Sequence, residues 1–144
     1  MRPYLVARTC TLADDSTDNP MQPFDLAADE LHNSTGGFWA LTEEAALMVR
    51  NKRLNEAVNF AERSLEADGR PGRAVLNWLW LALAHQTLGN LDTARRWRNK
   101  AIDWLNQQRI KPADSADMGL HLHNWLEAHV LWREVEGLIP AAKP

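Results

Sequence analysis

Cys10 is the only cysteine in the chain, so no internal disulfide can form. A reducing, cytoplasmic setting is the expectation that follows. No apolar run approaches the roughly 20 residues that a helix needs to cross a bilayer. The opening MRPYLVARTCTLADD has neither the long apolar segment nor the small-residue cleavage site of a secretory signal. No membrane association is therefore expected. Basic residues are missing between Leu12 and Thr35, where six acids stand (Asp14, Asp15, Asp18, Asp25, Asp29, Glu30). Metal-ligand spacing is missing too. His121, His123 and His129 lie two, six and eight residues apart, whereas a helical zinc pair needs ligands one turn apart. Residues two apart point about 200° away from each other on a helix. No metal and no cofactor are expected.

Tryptophan, in contrast, is plentiful: seven in 144 residues. Trp39, Trp78, Trp80, Trp97, Trp104, Trp125 and Trp132 mostly fit core or inter-helix positions, although the same residue is enriched where proteins bind one another. Four of them stand in the most patterned stretch, NWLWLALAHQTLGNLDTARRWRNKAIDWL, residues 77–105. Trp78, Leu81, Ala82 and His85 share one helical face. Leu91, Ala94, Arg98, Ala101, Ile102 and Leu105 share another. Gly89 breaks the two helices apart, because glycine takes the left-handed conformation without steric cost. Ala82, Ala94 and Ala101 are small where two helices must approach.

The pattern repeats. Leu54 and Leu91, Ala45 and Ala82, Ala57 and Ala94, and Leu65 and Ile102 are each 37 residues apart; Leu31 and Leu65, and Ala27 and Ala61, are 34 apart. The expected architecture is all-α: about seven helices in a single domain over 1–144, with hairpins at about 3–35, 38–68 and 73–109. A terminal helix at about 115–138, carrying Trp125, Ala128, Trp132, Val135 and Ile139, is expected to cap the stack, with Trp125 and Trp132 against the basic helix before it.

Trp78, Leu81, Ala82, His85, Gly89, Ala94 and Ala101 together resemble the tetratricopeptide repeat, with His85 where an aromatic is usual. In the preceding repeat Leu41, Glu44 and Lys52 replace the tryptophan, leucine and glycine. YLVARTCTLADD, the stretch from Asn77 to Leu105, and LWREVEGLI are similar to the repeat block that follows the kinase domain in planctomycete-type bacterial serine/threonine kinases. That resemblance implies a short right-handed superhelix and a regulatory or scaffolding role. It implies no kinase activity, since the glycine-rich loop, the His-Arg-Asp loop and the Asp-Phe-Gly motif are missing.

The same resemblance implies a binding groove lined by the first helix of each hairpin. Its residues would be Trp39, Thr42, Ala46, Val49 and Arg50, then Leu76, Leu79, Leu83, Gln86 and Thr87. The lysine, arginine and asparagine clamp by which chaperone-binding members hold a peptide carboxylate is not there. The groove is mostly apolar and suits an apolar partner segment or a packed helix. A non-catalytic protein–protein interaction module is thus the expected function, with a protein or peptide segment, or a second copy in a homo-oligomer, as partner.

Two other functions compete. A small enzyme could use Cys10 or the histidines, but nucleophilic catalysis needs a base and an orienting group, and Glu43-Glu44 and Asp14-Asp15 have no companion for acid–base work. A nucleic-acid binder could use Arg95, Arg96, Trp97, Arg98, Lys100, Arg109 and Lys111, but the chain carries a net charge of −3, and such binding needs a clustered basic surface.

Overall fold

The computed structural model describes residues 10–12, 18, 37–108 and 122–141. Among the described residues there are five α-helices and no strand. They are α1 (Phe38–Arg50), α2 (Leu54–Ala67), α3 (Pro71–Thr87), α4 (Leu91–Gln108) and α5 (Leu122–Leu138). None is long and apolar enough to cross a membrane. Apart from residues 10–12 and 18, the hairpin expected at 3–35 lies outside the described residues, as does the start of the last helix expected at 115–121.

Two turns that repeat each other bond for bond shape the stack. In the first, Lys52 N–H donates to the Val49 carbonyl at 3.1 Å and Arg53 N–H to the Met48 carbonyl at 2.9 Å. In the second, Gly89 N–H donates to Gln86 at 3.1 Å and Asn90 N–H to His85 at 2.9 Å. Each is a Schellman closure, which satisfies the last helical carbonyls through one left-handed residue. That residue is Lys52 at φ 60° and Gly89 at φ 82°, again 37 positions apart. Turns of three residues leave the joined helices antiparallel, so α1 pairs with α2 and α3 with α4.

α3 begins differently. Pro71 occupies its first position, where a missing N–H costs nothing. Just before it, Asp68 accepts the Arg70 N–H at 3.1 Å and both guanidinium groups of Arg70 and Arg73. The Arg70 hydrogen bonds hold the Asp68 carboxyl well below the usual carboxylate range, and Arg73 adds to this.

Packing follows residue size. Ala57, Ala61, Ala94 and Ala101 are all essentially inaccessible, which lets helix backbones come close where the pattern repeats. α3 is the centre of the molecule: α1, α2, α4 and α5 all pack on it. Its residues from Ala74 to Ala84 are buried without a break, which is why its apolar pattern is almost continuous around the helix.

One expected placement is corrected. The main neighbour of α5 is α3, not the basic helix α4. α5 reaches α4 at its edge, where the Arg98 guanidinium lies 4.0 Å from Glu136. The apolar side of α5 is buried in the core cluster that holds Leu76, Leu79 and Leu83 of α3, whereas the outer face of α4 is charged.

Candidate interaction surface

Where α1, α2 and α3 meet, three polar side chains are shut away from water. Thr42, Ser64 and Asn77 are 3%, 0% and 0% exposed. The Thr42 and Ser64 hydroxyls both donate to the Phe38 carbonyl at 2.9 Å and lie 2.8 Å apart. The Asn77 amide donates to Thr42 Oγ1 at 2.9 Å and to Ser64 Oγ at 3.1 Å. Each hydroxyl thus gives one bond and takes another, which suits its single proton. Thr42 is therefore turned into this joint rather than toward a groove. The cluster fixes the register of the first hairpin against α3, because a slip would strand three buried polar groups.

The other groove residues proposed from the sequence lie along α1 and α3. Ala46, Val49, Leu76, Leu79 and Leu83 are buried in one apolar cluster with Ala128, Leu131, Trp132, Val135 and Ile139 of α5. Trp39, Gln86 and Thr87 retain solvent contact. The leucine row of α3 thus already receives an amphipathic helix, the chain's own.

Arg50, at the end of α1, ties that helix down. Its Nη1 and Nη2 donate to the two carboxylate oxygens of Glu134 at 2.6 and 2.7 Å. Its Nε donates to the Thr11 carbonyl at 2.7 Å, and its guanidinium lies over the Trp80 ring at 5.0 Å. The fork geometry of arginine suits this bidentate bond, and a lysine could not reproduce it. With Arg50 7% and Glu134 26% exposed, the pair is largely shielded from screening by salt.

On the outer side of α5, His129 sits between two tryptophans. Its ring meets Trp125 edge-on at 4.5 Å and stacks on Trp132 at 5.5 Å. With Trp132, Arg133 and Glu136 it lines an open hollow of about 170 Å³. Leu126, Val130 and Leu138 are exposed on the same helix. His121 and the side chain of His123 lie outside the described residues. Among the described residues, no group of three His, Cys, Asp or Glu could hold a metal ion. Cys10 is half-buried.

The basic run on α4 is mostly engaged within the chain. Arg95 pairs with Asp92 at 3.3 Å, Arg96 donates to Thr93 at 3.1 Å and Arg98 to Asn99 at 2.9 Å. Lys100 Nζ lies 4.7 Å from the Trp78 ring and 5.5 Å from the Trp97 ring, a cation–π arrangement in which both tryptophans face a cation of their own chain. Arg109 and Lys111 lie outside the described residues. Beside this run, at the end of α3, the Asn90 side-chain amide lies 3.3 Å from His85 Nδ1. Burial pushes the His85 imidazole below its ordinary value; Glu62 opposes the shift and Arg96 adds to it.

No protein-family model, no curated protein and no solved structure matches this chain. The surface is therefore read from its own chemistry. The resemblance named Leu76, Leu79 and Leu83 of α3 as groove residues, but nothing in the sequence pointed to the Arg50–Glu134 pair, whose members stand 84 residues apart. It also passed over the hydroxyl–amide joint. The available signal was Ser64 standing in phase with Ala57 and Ala61 on an otherwise apolar stripe.

Proposed function

We propose that the chain is a non-catalytic protein–protein interaction module, built from tetratricopeptide-type hairpins stacked in a short right-handed superhelix. The face formed by α1 and α3 takes an apolar helical segment of a partner. The observation that carries this reading is the leucine row of α3 with a helix seated on it. Such a surface recognises apolar side chains at helical spacing, with a charged rim to orient them. Two Schellman turns at the repeat distance support the repeat architecture. The internal engagement of the α4 bases favours a protein over a nucleic acid. The kinase-block resemblance adds a regulatory or scaffolding role in bacterial signalling, in the cytoplasm.

The test is affinity capture from native lysate with the wild type and with Trp39→Ala/Gln86→Arg. These positions border the face yet keep solvent contact, so circular dichroism should show both proteins folded. Loss of a specific partner in the folded variant supports the reading. A folded variant that keeps every partner of the wild type refutes it. Leu79→Asp is unsuitable, because Leu79 is fully buried and an unpaired charge there would unfold the chain.

A further inference from the structure

The helix seated on the α1–α3 face shows what that face selects. α5 presents Ala128, Leu131, Trp132 and Val135 to the core, and Ile139 just past its end continues the row, each 8% exposed or less. They stand at i, i+3, i+4, i+7 and i+11, one continuous helical stripe. Glu134, at i+6, places a carboxylate on Arg50. The face thus combines an apolar row with one fixed cation at the end of α1.

We infer that α5 is an internal stand-in for the module's ligand, and that the ligand is an amphipathic helix with this apolar stripe and a carboxylate at the Glu134 place. This rests on the reading of the α1–α3 face as the binding surface and adds the ligand's chemistry and its control. Three features make α5 displaceable. It packs chiefly on one helix, α3. The Arg50–Glu134 ion pair ties it to α1. Thirteen residues, 109–121, separate it in sequence from α4. A tethered helix competes at millimolar effective concentration. An incoming helix therefore binds with an apparent affinity reduced by the fraction of molecules that are open. Weakening the Arg50–Glu134 pair raises that fraction while leaving the face itself unchanged, because the incoming helix brings its own carboxylate to Arg50.

The probe is a fluorescein-labelled synthetic peptide of residues 122–141 of this chain, titrated into the full-length protein and read by fluorescence anisotropy. Glu134→Gln, which keeps the shape and loses the charge, should bind the peptide about tenfold tighter than wild type, the weight of one charge-assisted bidentate contact. Glu134→Arg, which sets two cations against each other, should bind tighter still. A peptide carrying Glu134→Gln should lose about tenfold on either variant. Hydrogen exchange should show the protein's own α5 amides losing protection as peptide is added. Should Glu134→Arg fail to fold by circular dichroism, Glu134→Gln carries the comparison alone. A dimer with α5 exchanged between copies would support the inference, since the occupant still bears the same stripe and carboxylate. Folded Glu134→Gln that binds the peptide no tighter than wild type overturns it. If lysate capture still depends on Trp39 and Gln86 in that case, the ligand inference alone has failed; if it does not, the binding face has failed with it.

Discussion

Exchanging the residues at the two left-handed turn positions should move stability in opposite directions by similar amounts. Gly89 has φ 82°, and a Cβ built on it would meet nothing within 4 Å. Gly89→Ala therefore adds no clash, and its cost is conformational. A left-handed non-glycine residue costs about 1–2 kcal/mol, while removing glycine from the unfolded chain returns about 0.4–1 kcal/mol. The net loss is about 0.5–1 kcal/mol. Lys52, at φ 60°, already bears that cost. Lys52→Gly should gain about the same amount, and Lys52→Asn, which tolerates this conformation, should gain a smaller share. Urea unfolding followed by circular dichroism reads both. With a slope of about 1–3 kcal/mol per molar, the midpoints should shift by about 0.2–1 M in opposite directions. The two turns close separate hairpins, α1–α2 and α3–α4, so the double variant should return close to wild type. A neutral Gly89→Ala together with a destabilising Lys52→Gly would refute the equivalence of the two turns.

Ser64→Ala should cost about 1–3 kcal/mol in the same assay, because the Asn77 amide and the Phe38 carbonyl each lose a buried partner; a neutral result would mean that the joint does not set the register. Ala94→Leu should cost about 1–3 kcal/mol by overpacking a fully buried crossing, and an unchanged midpoint would count against the α3–α4 contact at that residue. The lowered pKa of His85 means that the unfolded chain binds a proton more readily than the folded one. Its contribution is therefore present above the unfolded value near 6.5 and is lost as the pH falls below it. Thermal melts between pH 8 and pH 5 should show this loss, and it should be smaller in His85→Gln; identical pH profiles would remove His85 from the account.

Local features of this molecule could be read in the sequence, and tertiary ones could not. Gly89 marked its turn because glycine advertises a left-handed residue. Ala57, Ala61, Ala94 and Ala101 marked the close crossings because small size has few other uses on an amphipathic stripe. The turn at Lys52 was legible from the repeat, which sets Lys52 at the glycine's place, although no side-chain property puts a lysine at φ 60°. The seat of α5 was hidden. Its apolar stripe could be matched to α3 or α4 by pattern alone, and the Arg50–Glu134 bond that ties it to α1 joins residues with no local relation. The groove residues of α3 were found as an apolar row, but a row of leucines carries no mark of whether its cover comes from the same chain.

The Arg50–Glu134 bond also bears on how the protein is made. Stacks of helical hairpins ordinarily gain stability from neighbour to neighbour, so that each unit can settle as it emerges. Here a contact spans 84 residues. At synthesis rates of about 5–20 residues per second, roughly 4–17 s separate the addition of Arg50 from that of Glu134. During that interval α3 can form and pair with its neighbours, but its leucine row has no α5 to cover it. A nascent chain paused within this window presents Leu76, Leu79 and Leu83 to whatever stands near the ribosome exit, and codon choice between residues 84 and 134 governs how long it does so.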